Sequence, residues 1–224
     1  MAWTKKTRKT LKWFLWIGIS LPLLWLFYNW ALLVDEGFNL GYLTSLGFHS
    51  LTANPIEYTN RFLGDWALRF LLFSFAVTPM ARIFKVKQLV AYRRMIGLWA
   101  FTYVSFHLTS YIVLDQFFDW GEIWSDILKR NYMTLGMTAF TLLIPMAVTS
   151  TKGWIKRLGA RRWKAIHKAI YVIAPLGAIH YFMMAKGNQL DPKIYIGIVV
   201  GLLGIRLWFS LQDKTKAAAG KATA

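Results

Sequence analysis

The 224 residues contain no cysteine, which rules out disulfides, thiolate zinc sites, iron–sulfur clusters and covalently attached c-type haem. Any metal must be held by other side chains. Charge is also scarce, with Asp, Glu, Lys and Arg making up 17% of the chain and acids numbering 10 against 27 bases. The sequence has no Gly-rich phosphate loop of the Walker or dinucleotide type and no HExxH. No Ser, His and Asp set lies at a spacing that would unite it. Nor does it show a repeat of about 20 to 50 residues, a second domain, or the paired broken helices of many transporters.

What the chain does contain is apolar sequence in long blocks. Hydrophobic residues account for 56% of it, in runs too long for the short periodic patterns of a soluble core. A bilayer core needs roughly 20 apolar residues per helix, and the qualifying blocks lie near 11–33, 64–84, 94–114, 132–150, 165–185 and 193–211. The expected fold class is therefore all-α, a polytopic membrane helical bundle of about six transmembrane helices. The net charge of +17 would suggest a nucleic-acid partner in a soluble chain. Here the bases cluster between apolar blocks, so topology explains them and no nucleic acid is implied. They gather on one side, at Lys5 to Lys12, Arg82 to Arg94, Lys152 to Lys168 and Lys214 to Lys221. The opposite loops hold Arg61, Lys129, Arg130, Lys186 and Lys193 among most of the acids. By the positive-inside rule both termini are cytoplasmic.

The N-terminus has the basic flank of a signal peptide, but its apolar run is a full span long and lacks a small-residue cleavage site, so it is expected to be an uncleaved first helix. Residues 1–213 form one membrane domain. Residues 214–224, KTKAAAGKATA, form a short polar cytoplasmic tail whose composition predicts disorder. Pro22, Pro79, Pro145 and Pro175 fall in or near spans, where neighbouring helices can satisfy the freed backbone groups.

Ionisable groups inside a membrane are costly and are functional candidates by default. His107 lies 13 residues past Arg94 in the third span, about 20 Å from the cytoplasmic boundary at 1.5 Å per residue. His180 lies 12 residues past Lys168 in the fifth span, running in the same direction, and so reaches a similar depth. Two imidazoles at matched height can take the two faces of a haem iron. The plain alternative is two histidines hydrogen-bonded to backbone or water. His167 lies 13 residues before His180, near the cytoplasmic surface, and is a candidate ligand for a second haem. It sits about 140° round an ideal helix from His180, with Pro175 between them. An inner ligand on the third span should stand near position 93, which is Arg93. Arginine stays protonated and suits a haem propionate or a phosphate better than iron. For Arg93 and Arg94, anchoring at the positive-inside face is the competing role. His49 reads as a loop residue. Gly97, Ser105 and Gly177 are small enough to make room for a planar macrocycle, or simply to let helices pack closely.

Three segments carry a family resemblance over nearly the whole chain: RRMIGLWAFTYVSFHLTSYIVLDQ around His107, RRWKAIHKAIYVIAPLGAIHYF around His167 and His180, and NRFLGDWALRFLLFSFAVTPMARIF before them. The chain resembles the MsrQ (YedZ) family of the ferric reductase-like transmembrane superfamily. The resemblance implies a multi-pass protein of the bacterial inner membrane that binds b-type haem, one or two per chain, and FMN. It further implies that electrons pass from quinol or a cytoplasmic flavin reductase to a periplasmic MsrP-like molybdopterin subunit that reduces methionine sulfoxide. The chain would then be an electron-transfer subunit rather than the catalytic one. His107 and His180 match the family's outer haem ligands, and His167 its third histidine. Eukaryotic relatives carry two histidines on the third span, where this chain has Arg93 at the equivalent offset. No motif places the FMN. Two other readings compete: a partner-independent membrane ferric or quinone reductase, with the acidic outer loops (Asp115, Asp119, Glu122, Asp126) attracting a cation, and a non-redox transporter or scaffold.

Overall fold

A computed structural model describes residues 3–35, 54–151, 153–185 and 189–222. His49 lies outside them. Every regular element among the described residues is helical, as the apolar blocks require. In chain order these are α1 (Lys5–Asp35), α2 (Pro55–Ile83), α3 (Val90–Ser110), α4 (Trp120–Lys129), α5 (Asn131–Val148), α6 (Trp154–His167), α7 (Ile170–Met184) and α8 (Leu190–Ala222). A short 3-10 turn, Lys87–Leu89, leads into α3, and a π-helical turn, Tyr111–Asp115, ends it.

Five helical stretches are long and apolar enough to cross a membrane: Lys5–Asp35, Pro55–Ile83, Lys87–Asp115, Asn131–Val148 and Leu190–Ala219. The chain is an all-α, multi-pass membrane protein. The block expected to span 165–185 is divided. Its basic first part belongs to α6, and only the 15 residues of α7 continue it. At 1.5 Å per residue α7 is about 22 Å long, short of a hydrocarbon core of about 30 Å. The tail also differs from expectation, because α8 runs through Lys214 and on to Ala222. Its alanines and lysines are strong helix formers continuing an existing helix, so no new nucleus is needed.

The chain divides into two compact units. The first comprises Met1–Leu71 and Arg94–Asp126, and the second Leu72–Arg93 and Ile127–Ala224. Within the first, α1 packs on α2 through the Trp25–Phe62 stack and the bond from the Trp30 indole to the Thr59 hydroxyl (2.7 Å). Tyr103 of α3 is fully buried, and its hydroxyl donates to the Ile19 carbonyl (2.7 Å) and accepts from the Leu23 N–H (3.1 Å). Those two backbone groups would ordinarily bond each other, so the phenol is spliced into α1 beside Pro22 and keeps both satisfied in an apolar medium. Hydroxyls of Thr102, Ser105 and Thr109 are satisfied locally, each donating to the carbonyl four residues earlier.

Within the second unit α7 packs between α5 and α8, and α6 touches α5. Ile173, Ala174 and Ala178 form the buried face of α7. Small residues there let the backbones approach closely, which matters where lipid removes the hydrophobic drive for helix association.

Candidate metal centre

His107 stands late in α3, and the start of α2 determines its ring position. Its Nδ1 lies 2.8 Å from the carbonyl oxygen of Asn60. A carbonyl can only accept, so Nδ1 carries the proton and the lone pair of the neutral ring is on Nε2. One helical turn along α2, Gly64 presents no side chain. A Cβ added there would sit 3.2 Å from both Cε1 and Nδ1 of His107. The imidazole therefore rests directly on backbone. The Asn60 amide reinforces the arrangement by donating to the Ser110 hydroxyl (3.2 Å), which itself donates to the His107 carbonyl (2.8 Å).

His180, in the second unit, repeats the construction. It stands late in α7, and its Nδ1 lies 2.6 Å from the carbonyl of Tyr132 at the start of α5. Four residues on, at the same interval as from Asn60 to Gly64, Gly136 leaves space that a Cβ would fill at 2.9 Å from Cε1 and Nδ1. Again the proton is on Nδ1 and the lone pair on Nε2. The two histidines are thus held by one device: a helix carbonyl at one position, a glycine at the next turn, and an imidazole clamped across both. A ligating histidine in a metal protein characteristically donates its second nitrogen to such an acceptor, which fixes tautomer and ring orientation.

His167, at the end of α6, is held differently. Its Nε2 lies 3.2 Å from the Thr149 hydroxyl, and its ring stacks on Trp163 with centroids 3.9 Å apart. Thr149 donates its own proton to the Pro145 carbonyl (2.6 Å), so it accepts from His167, whose proton is on Nε2. The Trp163 indole donates to the Thr149 carbonyl (3.0 Å), closing the cluster. Arg93 bonds the Thr78 hydroxyl through Nη1 (2.9 Å), and its carbonyl accepts from Ser74 (2.9 Å). Arg94 is exposed. His107 and Arg94 fall in the first unit, and His167, His180 and Arg93 in the second.

The sequence reading did not single out Gly64, Gly136 or the carbonyls of Asn60 and Tyr132. It named Gly97, Ser105 and Gly177 as the small residues. A glycine at the depth of each histidine on the preceding span was the available signal. It also passed over Asp65, Arg69 and Arg206, three charges inside apolar blocks that the cost of intramembrane charge should have flagged. Arg69 lies over the Trp66 ring, 4.9 Å from its centroid.

The acidic outer segment is occupied structurally. Asp126 is buried and accepts from the Tyr111 hydroxyl (2.9 Å), while Asp119 caps α4 by accepting from the Glu122 N–H (3.0 Å). Among the described residues no three His, Asp or Glu side chains gather as a metal site.

The chain is similar to known membrane proteins. Residues 63–178 match the model of the family described as ferric reductase like transmembrane component. A protein-methionine-sulfoxide reductase heme-binding subunit MsrQ from Caulobacter vibrioides is 43% identical over 203 residues, 91% of this chain and 89% of that protein. Its namesake from Rhodospirillum rubrum is 53% identical over 157 residues, 70% of this chain and 76% of that protein. The magnetosome protein MamZ of Paramagnetospirillum magneticum is 39% identical over 203 residues, 90% of this chain but 30% of its own length.

Proposed function

This chain belongs to the family of ferric reductase like transmembrane components and, within it, to the MsrQ subunits, and on that premise we propose that it is the haem-binding, electron-carrying membrane subunit of a methionine sulfoxide reductase system. The observation that carries the reading is the repeated clamp, which prepares His107 and His180 alike with the proton on Nδ1 and the lone pair on Nε2. Hydrogen-bonded core histidines need no such sameness. A pair of imidazoles that would hold a haem iron is served by it, since each must keep its Nε2 lone pair free.

These residues fit a b-type haem. The donor set is two neutral imidazoles, with no thiolate anywhere in the chain, and counting residues along the spans predicts a similar depth for both. When bound, haem supplies a one-electron carrier whose potential follows from axial ligand and burial. The chain's own residues hold the ligand rings at fixed orientation. Glycine at 64 and 136 keeps side chains out of the space the rings use. Arg93 and Arg94, at the end of the third span where a second, inner haem would lie, offer guanidinium groups suited to its propionate. His167 is the candidate for a second, inner iron, and ligation through Nε2 would require it to release Thr149.

In this reading electrons enter from quinol or a cytoplasmic flavin reductase and leave to a periplasmic MsrP-like molybdopterin subunit, which performs the reduction. The protein resides in the bacterial inner membrane, and an FMN phosphate would be met by its basic cytoplasmic segments.

The test is an oxidised-minus-reduced optical spectrum of the purified protein, with haem quantified per chain. The wild type is expected to show a low-spin b-type spectrum. His107→Ala and His180→Ala should each abolish the outer haem, whereas His167→Ala should spare it. An unchanged spectrum in both outer variants would sink the assignment.

A further inference from the structure

A second feature, independent of the histidines, lies in the second unit at the end that the basic residues assign to the cytoplasm. There α2, α7 and α8 border an open pocket of about 470 Å³ whose charged lining is Arg82, Arg206, Asp213 and Lys214, with Tyr171 also in the lining. Three cations face one carboxylate. Asp213 is fully engaged by Arg82, whose two terminal nitrogens reach its two oxygens at 2.8 and 2.7 Å. Lys214 and Arg206 are therefore not neutralised by it.

Arg206 is the decisive residue. An arginine inside a span is costly unless its charge is met, and the groups that contact it here are neutral: a hydroxyl, a carbonyl and the rings of Phe75 and Tyr171. Its Nη1 donates to the Tyr171 hydroxyl (3.2 Å), its Nη2 to the Phe75 carbonyl, and its guanidinium lies 4.2 Å from the Phe75 ring centroid. Its Nε is buried with no hydrogen-bond partner. Arg93 lies near enough to add repulsion. An anion would relieve this surplus. Next in the chain to the lining residues Arg82, Arg206 and Ser210, the residues Ile83, Phe84, Leu207 and Leu211 are exposed and apolar, as expected of surface that meets acyl chains.

We propose that this pocket binds the phosphate headgroup of an anionic membrane phospholipid, held by Arg206, Arg82 and Lys214 with Tyr171 donating. Basic pockets between helices on the cytoplasmic side favour such headgroups, each cation contributing about 1 kcal/mol near an anionic surface. A phospholipid, rather than a soluble phosphate, is the occupant because exposed apolar surface adjoins the cationic lining.

The test is native mass spectrometry of the full-length protein released from nanodiscs containing equal parts phosphatidylglycerol and phosphatidylcholine. The wild type is expected to retain phosphatidylglycerol in preference. Retention should fall about fivefold for Lys214→Ala and at least as much for Arg206→Gln, with helical content by circular dichroism as the check on folding. Lys214 is peripheral, so its variant remains informative if the arginine variant fails to fold. Equal retention of the two lipids overturns the proposal, as does unchanged retention in Lys214→Ala. Complete displacement of the lipid by equimolar FMN or inorganic phosphate also overturns it, identifying a soluble phosphate as the occupant. None of these readouts involves haem, so the lipid site stands or falls apart from the electron-transfer reading.

Discussion

At the scale of single residues, the two glycines of the clamp are the sharpest discriminators. A Cβ at 136 would lie 2.9 Å from the His180 ring, closer than a real Cβ contact, while one at 64 would lie 3.2 Å from His107. The crowded atoms, Cε1 and Nδ1, belong to a rigid ring pinned by a backbone hydrogen bond, so they cannot slip aside at little cost. Gly136→Ala is therefore expected to weaken haem retention by roughly 10- to 100-fold, the range for loss of ligand-orienting contacts, and Gly64→Ala by less. Haem per chain and the position of the Soret band, at unchanged helical content, check the order. Tyr103→Phe belongs to the same scale. It removes a hydroxyl that satisfies both an N–H and a carbonyl of α1, and should destabilise the protein by about 1–3 kcal/mol, read from the thermal unfolding midpoint in detergent. The histidines themselves stood out in the sequence as costly polar groups inside apolar blocks. Their supports did not, because a backbone carbonyl carries no sequence signal and a glycine in a span ordinarily signifies close packing.

At the scale of elements, α6 and α4 show what hydropathy alone misses. The block 165–185 reads as one continuous span, yet α6 ends at His167 and α7 begins at Ile170. The basic run from Lys156 to Lys168 is costly to place in a hydrocarbon core, and the regular α-helix is interrupted at Lys168 and Ala169, where charge gives way to apolar residues. Within α6, Gly159 adopts φ 75° and ψ 153°, a region essentially closed to residues with a Cβ. Gly159→Ala is expected to cost about 1–3 kcal/mol, seen as a lower unfolding midpoint with the outer haem spectrum preserved. In α4, Trp120, Trp124 and Leu128 recur every four residues and remain about 64% exposed, while Ile123 and Asp126 are buried. That spacing makes one apolar stripe on a helix whose other face is packed, the composition of an element lying at a membrane interface. Lipid-attached quenchers placed at headgroup depth should quench fluorescence from these tryptophans, measured as the signal lost on Trp124→Phe.

At the scale of the whole molecule, the distribution of bases makes a prediction about sidedness. With Lys5 to Lys12 and Lys214 to Lys221 both assigned to the cytoplasm, green fluorescent protein fused at either terminus should fluoresce, whereas alkaline phosphatase there should be inactive. A phosphatase inserted after Asp119, on the opposite side, should be active. The reverse pattern would invert the direction of electron flow proposed above.

Composition and apolar block length were sufficient to determine a helical membrane bundle, because bilayer thickness and the cost of burying charge act on any chain regardless of partners; charge asymmetry and residue counting add an expected sidedness and an expected depth for His107 and His180. Resemblance in the segments around the histidines was sufficient for the family. Packing alone decided the rest: which carbonyl orients each imidazole, which glycines make room, and that Arg206, Arg82 and Lys214 meet at one pocket. Those features join residues 47, 48 and 131 positions apart, and the identity of such distant partners is set by how helices dock, not by any local pattern.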